Sequence, residues 1–350
     1  MKSEMVIGKP LLGHRLKIQK AILTWYDRHR ILHPWREHWE KSGDPYVILL
    51  SEIMLQQTTL QAVTPAYKEF YKNYPTIEAL ARADEESIRI ASKGLGYYRR
   101  FGNLLRTAKL IKAKGRWPKE YRDWLALPGI GDYTASAIVS ICFGQPQFVV
   151  DGNIERVLFR LLDLRGEVKP FKKDMKAIGN QLIALDRPGD FNQGMMELGQ
   201  TVCSKSGKPI CRLCPLKGVC LARRNDTQDL ALPVKVKIAF QEVHVRMVIY
   251  RKKGRYGIIK RPNDAMFLKN TYGFPYTVQE DQTESGRYEE IGQFKHSITK
   301  YKLKVRVEWG KSRAPLGMEW LDKKDLEKRL YSNFDRKAWA LLSPPITQMA

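Results

Sequence analysis

Apolar residues in the first two thirds of the chain recur mostly at helical spacing, and from about residue 14 to 222 this pattern predicts a mostly helical region. A helix is expected to begin at Asp44-Pro45, because Asp is a favoured N-cap and Pro fits the first helical position. Its first turns are apolar on every side, which is typical of a helix buried in a bundle. Further helices are expected over Thr76–Ala91, Arg99–Lys114 and Phe171–Leu185.

A different pattern follows residue 220. A polar segment leads into stretches in which alternate residues are apolar, Val243–Ile249 and Tyr301–Trp309. This period of two is typical of half-buried strands. Lys252–Gly254 predicts a hairpin turn, and two short helices are expected near the end, around Lys323–Leu330 and Arg336–Leu342. The pattern therefore predicts an α+β domain that begins between about residues 222 and 240.

The charge composition indicates an anionic partner. The chain has 350 residues and a formal net charge of +24. The basic residues cluster: nine lie between Lys235 and Arg261, where Glu242 is the only acid. Such an excess favours nucleic acid, which binds by phosphate neutralisation and counterion release. The length is that of about two domains.

No membrane partner is expected. The first 20 residues lack the apolar stretch of a signal peptide, and the longest apolar runs are too short to span a bilayer. The sequence therefore predicts an intracellular protein, cytoplasmic or associated with the nucleoid, without a targeting signal.

Four cysteines lie within one short segment, at Cys203, Cys211, Cys214 and Cys220. Thiolates this close in sequence can converge on one metal centre, and both zinc and iron–sulfur clusters accept four of them. A single CxxC with looser flanks favours a cluster over a zinc ribbon, which usually pairs two CxxC motifs. Disulfides are typical of short secreted chains and are disfavoured here.

The run LPGIG contains Gly129 and Gly131 and precedes a segment with helical spacing. Glycines let the backbone approach a ligand closely, and the N–H groups at the start of the next helix can bind an anion such as a DNA phosphate. The alternative is an ordinary turn between helices.

Two carboxylates stand out by their surroundings. Glu52 lies within the apolar helix, where lost hydration would raise its pKa and suit it to general acid catalysis. Asp151 follows the apolar run 148–150 and opens the turn Asp151-Gly152-Asn153. The alternatives are a buried structural acid for Glu52 and helix capping for Asp151 and Asn153.

Taken in order, the segments HPWRE, SEIMLQQT, GLGYY, LPGIGDYTASAI, VDGNIERVL, FNQGMMELGQTVC and the cysteine run resemble the adenine DNA glycosylases of the MutY type. These enzymes belong to the helix-hairpin-helix glycosylase superfamily. The resemblance covers most of the chain from Pro34 to Cys220. It implies a multidomain protein, with an all-α catalytic region that carries an iron–sulfur module, followed by an α+β Nudix-like domain.

The resemblance also implies domain limits. The catalytic region would span residues 1–226, with a six-helix barrel at about 38–140 and the iron–sulfur module formed by about 8–37 and 141–226. A linker would follow at 227–238, and the Nudix-like domain at 239–350. The four cysteines would hold a 4Fe–4S cluster.

Carried over by motif, Glu52 protonates the adenine leaving group at N7, and Asp151 stabilises the oxocarbenium ion. Tyr133 and Asn153 would support that aspartate and the reacting sugar. Related bifunctional enzymes have a lysine at the position of Tyr133, so the resemblance implies base release without a strong lyase step.

The remaining matched positions would contact DNA. The base must be flipped out of the duplex before its glycosidic bond can be reached. Gln57 with Thr58, and Tyr97, match residues at the lesion pair, although plain packing would also explain Tyr97. Trp35, Arg36 and Glu197 match the adenine pocket.

The C-terminal resemblance rests on ALPVK, TYGFP and FKHSITKYK. The family often has Phe-Ser-His where this chain has Ile298-Thr299-Lys300. The resemblance implies that Thr299 replaces the serine hydroxyl in recognition of 8-oxoguanine, and that Lys300 instead contacts phosphate. No Nudix hydrolase signature is present in the sequence.

The sequence therefore predicts a monomeric, monofunctional glycosylase that removes adenine mispaired with 8-oxoguanine or guanine in double-stranded DNA. One alternative is a thymine-mismatch glycosylase on the same scaffold. The other is a non-catalytic DNA-binding protein with a structural zinc site.

Overall fold

The computed structural model describes residues 8–9, 11–205, 208–234, 239–279, 289–311 and 314–342. They belong to two compact units. The first unit comprises Met1–Ala83 and Arg99–Val236, and the second comprises Asp84–Tyr98 and Lys237–Ala350. None of the described helices is long and apolar enough to cross a bilayer.

Helices dominate the first unit, and three more lie in the second. In chain order they are α1 (Arg15–His29), α2 (Pro34–Ser42), α3 (Pro45–Leu55), α4 (Leu60–Asn73), α5 (Ile77–Arg82), α6 (Glu85–Ala91), α7 (Arg99–Lys114), α8 (Tyr121–Leu125), α9 (Asp132–Phe143), α10 (Gly152–Leu162), α11 (Val168–Leu182), α12 (Pro188–Thr201), α13 (Leu221–Arg224), α14 (Lys323–Arg329) and α15 (Asn333–Ala340). Helices α6, α14 and α15 belong to the second unit.

Helix α3 is the central helix of the first unit. Its start is as expected: the Asp44 side chain accepts a hydrogen bond from the Tyr46 N–H at 3.0 Å, and Pro45 occupies the first helical position. Every residue from Pro45 to Met54 is buried. The helix packs against α2, α4, α7 and α9, so its one acidic residue lies in the interior.

The helix expected over Thr76–Ala91 is two helices. Residues 83 and 84 have extended backbone, and the Asp84 side chain accepts hydrogen bonds from the N–H groups of Glu86 and Ser87, both at 2.9 Å. An aspartate that caps a new helix competes with continuation of the old one. Helix α7 has the limits expected from its spacing.

Helices α10, α11 and α12 pack with α1 around a second core of the first unit. The first unit also contains two short parallel strands, β1 (Gly166–Glu167) and β2 (Pro233–Val234). Residues 233 and 234 fall within the linker expected at 227–238, and they pair with β1 through Gly166–Pro233 and Glu167–Val234. Residues 235–238 of that segment lie outside the described residues.

The second unit contains a mixed sheet. Its strands are β3 (Gln241–Lys252), β4 (Arg255–Lys260), β5 (Tyr272–Gly273), β6 (Tyr276–Gln279), β7 (Glu289–Ile298), β8 (Tyr301–Trp309) and β9 (Glu319–Leu321). The order is β5-β4-β3-β8-β7, with β6 paired to β3 and β9 paired to β4. Only β3 and β8 run parallel among these described pairs.

One face of this sheet packs against α14 and α15. The alternate apolar residues of β3 and β8 are buried on this face, together with Leu326, Phe334 and Trp339 of the two helices. An ion pair between Arg261 and Asp335 is buried beneath them. A helical region followed by a domain of sheet and helices is therefore confirmed.

Candidate active site

Glu52 is a buried carboxylic acid in the middle of α3, with 7 % of its surface exposed. Its Oε2 atom has no hydrogen-bond partner among the described residues. Burial raises the pKa of Glu52 to about 7; interaction with the Tyr133 hydroxyl opposes this, the charge of Asp151 adds to it, and Arg36 lowers it. A carboxyl group in this environment can hold a proton at neutral pH.

Tyr133 lies in the first turn of α9 and links that helix to α12. Its hydroxyl donates a hydrogen bond to Sδ of Met196 at 3.4 Å. Burial, followed by the charges of Glu52 and Asp151, raises the pKa of Tyr133 well above its ordinary value. The phenol therefore remains a neutral hydrogen-bond donor beside the two carboxyl groups.

Asp151 is the N-cap of α10, which agrees with the capping alternative for this residue. Its Oδ1 accepts hydrogen bonds from the N–H groups of Asn153 at 3.1 Å and Ile154 at 2.8 Å. Its Oδ2 accepts one from Nδ2 of Asn153 at 2.8 Å. Burial raises the pKa of Asp151, whereas these hydrogen bonds and Arg156 lower it. The pKa of Asp151 is raised on balance, and the three hydrogen bonds and Arg156 limit this rise.

Arg156 holds Asn153 in place from one turn further along α10. It donates hydrogen bonds to Oδ1 of Asn153 at 3.0 Å, to the carbonyl of Cys203 at 2.8 Å and to the carbonyl of Gly199. Helices α10 and α12 approach closely here: a Cβ atom on Gly199 would lie 2.8 Å from the Asn153 carbonyl oxygen. Only glycine fits at this crossing.

Arg36 and Glu197 form a buried ion pair between α2 and α12. Glu197 also accepts a hydrogen bond from the Ile31 N–H at 3.2 Å, and Arg36 donates one to the Ile31 carbonyl at 2.7 Å. Arg36 lowers the pKa values of both Glu52 and Tyr133, so its positive charge interacts electrostatically with both groups. Trp35 is 5 % exposed and stacks on His33 at 4.7 Å between ring centroids.

A buried arginine fixes the turn that follows α3. Arg100 donates hydrogen bonds to the carbonyls of Ile53 at 3.1 Å, Met54 at 2.8 Å and Gln56, and to Oγ1 of Thr58 at 2.8 Å. Gln57 takes a positive φ of 55° within this turn. Arg100 could not be identified from the sequence, because its neighbour Arg99 is an equivalent cation and spacing alone does not distinguish the two.

Gly129 and Gly131 form the turn between α8 and α9. Gly129 has a φ of 76°, and a Cβ atom there would lie 2.5 Å from Nδ2 of Asn103. Gly131 is the N-cap of α9, and no side chain caps that helix start within the described structure. Gln56 ties this hairpin to the turn after α3, since its Nε2 donates to Oγ1 of Thr134 at 3.3 Å.

The four cysteines line a single cavity together with Arg160 and Leu198. Arg160 donates a hydrogen bond to Sγ of Cys203 at 3.2 Å. Burial raises the pKa of Cys214 to about 12, and the charges of the other three cysteines contribute to this rise. No three His, Cys, Asp or Glu side chains of the described chain are grouped closely enough to hold a single ion. The four thiols line one shared space, and four cysteines are a ligand set that an iron–sulfur cluster or a zinc ion accepts.

Three of the residues that the family resemblance identified, Tyr97, Thr299 and Lys300, lie in the second unit. Tyr97 is 51 % exposed and has a φ of 47°. Thr299 has a φ of 52° and, with exposed Lys300, forms the turn between β7 and β8. Positive φ is uncommon for a β-branched residue such as threonine.

Within the first unit, the structure brings together Glu52, Tyr133, Asp151, Asn153, Arg36 and Glu197 through the contacts and charge interactions described above. Gln57, Thr58, Gly129 and Gly131 lie in the adjoining turns. Sequence reasoning missed Met196 and Arg156 as partners of the site. Arg156 lies four residues after Gly152, so helical spacing from the Asp151 cap could have identified it.

Residues 50–182 match the HhH-GPD superfamily base excision DNA repair protein family. The chain is 31 % identical to an adenine DNA glycosylase of Buchnera aphidicola (subsp. Baizongia pistaciae), across 84 % of this chain and 86 % of that protein. It is 32 % identical to an adenine DNA glycosylase of Arabidopsis thaliana, across 83 % of this chain and 56 % of that protein.

A human adenine DNA glycosylase is 38 % identical across 61 % of this chain and 40 % of its own length. The chain thus spans about half the length of the plant and human relatives. Among solved structures, a thermostable thymine-DNA glycosylase matches with a TM-score of 0.54 and 28 % identity, across 61 % of this chain and 98 % of that one. An endonuclease III–DNA covalent intermediate shares the fold, with a TM-score of 0.50 and 22 % identity across 61 % of this chain and 97 % of that one.

Proposed function

The chain belongs to the adenine DNA glycosylases of the HhH-GPD superfamily, and we propose that it removes adenine mispaired with 8-oxoguanine or guanine in DNA. One observation carries the chemistry. Glu52 is a buried carboxylic acid whose pKa is raised to about 7, and it interacts with a second buried carboxyl group, Asp151, on which three hydrogen bonds and Arg156 oppose the rise in pKa that burial causes. Two carboxyl groups whose environments differ in this way can take the roles of acid and anion.

The proposed reaction breaks the bond between C1′ of the deoxyribose and N9 of adenine. The bonding electron pair goes to adenine, and Glu52 transfers its proton to N7 of the leaving base. The ionised Asp151 stabilises the positive charge that develops at the sugar. Water then adds to C1′, and the proton that it releases returns Glu52 to its acid form. The negative charge of Asp151 also favours the protonated form of Glu52 before the reaction.

Tyr133 and Asn153 serve this pair without forming bonds to the substrate. Asn153 donates to Oδ2 of Asp151 and keeps that oxygen oriented. Tyr133 stays neutral between the two carboxyl groups and is fixed by Met196. Because position 133 holds a phenol and not an amine, no Schiff base can form there. The proposed enzyme therefore has no strong lyase activity.

DNA binding would place the flipped adenine against α2 and α12, where Trp35, Arg36 and Glu197 meet. Gln57, Thr58 and Tyr97 would contact the opened base pair. Gln57 and Tyr97 are both exposed and both have positive φ values. The uncapped start of α9 at Gly131, after the tight turn at Gly129, suits a DNA phosphate.

Cys203, Cys211, Cys214 and Cys220 would hold a 4Fe–4S cluster, because all four line one cavity and a cation lies against one sulfur. When bound, the cluster would cross-link this segment of the chain. It would organise the loop Lys205–Lys217 against DNA phosphates. Visible absorption and iron content distinguish a 4Fe–4S cluster from zinc. With the cluster bound, the protein should be brown and contain about four irons per chain.

The second unit would be a Nudix-like domain that recognises the base opposite adenine. The mixed sheet with two helices on one face supports this, and the β7–β8 turn carries Thr299 and Lys300 at its tip. The proposed protein is a monomer in the cytoplasm or nucleoid, and its partner is mispaired double-stranded DNA.

The test is single-turnover base release over a panel of duplexes. We expect adenine release from A:8-oxoguanine and A:G, and loss of at least 100-fold with Glu52→Gln and Asp151→Asn, since each removes a group used in the transition state. Near-wild-type rates in either variant would overturn the catalytic assignment.

The panel also includes T:G, because the matched thymine-DNA glycosylase scaffold makes thymine release the second candidate function. Thymine release does not require the proton that Glu52 holds. Release of thymine that persists in Glu52→Gln would favour this alternative, and a colourless protein with no release would favour a zinc-containing DNA-binding protein.

A further inference from the structure

The sheet of the second unit has one face that its helices leave open. Residues of β7 and β8 alternate between the core and solvent: Phe294, His296 and Leu303 point to the core, whereas Lys295, Lys302 and Lys304 are exposed. Helices α14 and α15 cover only the core side. The opposite side therefore presents exposed, charged side chains.

The strand register concentrates cations on this open face. Lys302 lies beside Glu242 in β3, and Lys304 lies between His244 of β3 and Lys295 of β7. Lys304 forms an ion pair with Glu242 at 2.6 Å. Lys295 and Lys302 form no ion pair with any described residue, so two lysines remain free for an anion.

The arrangement of Lys295 and Lys304 is unfavourable for the isolated domain. The two residues are direct partners in the antiparallel β7–β8 pair. Like charges directly opposite each other on a sheet are destabilising. An anionic ligand bound on this face would reduce that repulsion. The adjacent lysines are therefore better explained by a bound anion than by exposure to solvent alone.

An exposed aromatic residue lies at the end of the same face. Phe240 is 52 % exposed and precedes β3. The next residue, Gln241, donates its N–H to the carbonyl of Lys300 at 2.9 Å, so Phe240 lies beside the β7–β8 turn. Nζ of Lys302 lies 4.8 Å from the centroid of the Phe240 ring. This turn itself reads Ile298-Thr299-Lys300 and contains no aromatic residue.

We propose that this open face, which we call the lysine face (Lys295, Lys302, Lys304 and Phe240), is a DNA-binding surface. Lys295 and Lys302 bind phosphates of one strand, and Phe240 stacks on a base beside the β7–β8 turn. Cations interleaved with an aromatic ring are the combination that binds nucleic acid without base-specific hydrogen bonds. The inference rests on the proposed function, which supplies DNA as the ligand, and it adds the surface and the roles of its residues.

The phosphate contacts are tested by the salt dependence of duplex binding in the full chain. Lys295→Gln with Lys302→Gln removes two charges, and Lys323→Gln with Lys324→Gln on exposed positions of α14 removes two charges elsewhere. The slope of log K against log salt is negative, and we expect its magnitude to decrease by about 2 in the first variant, since each phosphate contact contributes about 0.9. The second variant should keep the wild-type slope. Equal slopes in the two variants would overturn the proposal.

The stacking contact is tested by Phe240→Leu and Phe240→Tyr at one salt concentration. Base–aromatic stacking predicts a loss of affinity of about 5- to 100-fold for Leu and recovery with Tyr, with the salt slope unchanged in both. Wild-type affinity in Phe240→Leu would refute the role of the ring. Thermal melting of each variant checks that the second unit is folded.

Failure of this inference is separable from failure of the proposed function. Adenine release by the wild-type protein tests the function, whereas the slopes, measured also on an undamaged duplex, test the lysine face. A protein that releases adenine but shows equal slopes refutes the lysine face alone. A protein that releases no base but shows the slope difference refutes the proposed chemistry alone.

Discussion

Asn153 donates a hydrogen bond from Nδ2 to Oδ2 of Asp151 at 2.8 Å, while its own Oδ1 accepts one from Arg156 at 3.0 Å. The amide is therefore held with its donor toward the carboxylate. This fixed orientation supports the ionised form of the aspartate at the moment when the sugar becomes cationic.

Replacement of Asn153 should slow base release. We expect Asn153→Ala to lower the single-turnover rate by about 10- to 100-fold, since a hydrogen bond to a charged group contributes about 1.5–3 kcal/mol. Asn180→Ala is a matched control, because Oδ1 of Asn180 only accepts the Phe148 N–H at 2.9 Å. Equal rate losses in the two variants would contradict the assigned role.

Glu52 should make the fold less stable as pH rises. Its pKa is about 7 when folded, above its ordinary value of 4.5, so the folded state binds more protons between these pH values. The stabilising contribution is full below pH 4.5 and is lost as pH rises through 7. We expect the gain in unfolding free energy from Glu52→Gln to be larger at pH 8 than at pH 5 by on the order of 2 kcal/mol. Denaturant titrations at both pH values measure it, and a gain independent of pH would contradict the assignment.

Replacing only one partner of the Arg36–Glu197 ion pair should lower the free energy of unfolding substantially. Both side chains are nearly buried, so Glu197→Gln or Arg36→Met leaves an unpaired charge and should destabilise the protein by about 3–5 kcal/mol. The double variant should lose less than the sum of the two. Arg30→Met provides the exposed comparison, because its pair with Glu40 lies in solvent and contributes about 0–1 kcal/mol. Additive losses would indicate that the two charges act independently.

Arg100 should be required for the turn that carries Gln57 and Thr58. Arg100→Met leaves the carbonyls at the end of α3 without their donor, and we expect a loss of about 2–4 kcal/mol in unfolding free energy, with weaker DNA binding. Arg99→Met, at the exposed neighbouring position, should change neither quantity by much. Similar effects of the two replacements would contradict this role.

Local signals in the sequence predicted the parts of the fold that depend on short-range chemistry. The Asp44–Pro45 helix start and the limits of α7 follow from capping and spacing. The period of two over Tyr301–Trp309 predicted β8. The break at Asp84 was missed because its apolar spacing continues through both helices, and only the cap shows the interruption.

The site was predictable to a different extent. An acid inside an all-apolar helix marks Glu52 from sequence alone, since its burial follows from its neighbours. The contacts of Arg100 and Met196 could not be predicted, because they join segments 42 and 63 residues apart. Such contacts depend on how the helices pack, which periodicity does not specify.

The central claim is that Glu52 delivers the proton that releases adenine, and the pH dependence of single-turnover base release tests it most directly. For the wild-type protein on an A:8-oxoguanine duplex, we expect the rate to fall about tenfold per pH unit above a midpoint near pH 7, as the acid form of Glu52 is lost. In Glu52→Gln this alkaline decline should disappear together with most of the rate. A wild-type rate that stays constant or rises from pH 7 to 9 would contradict the claim.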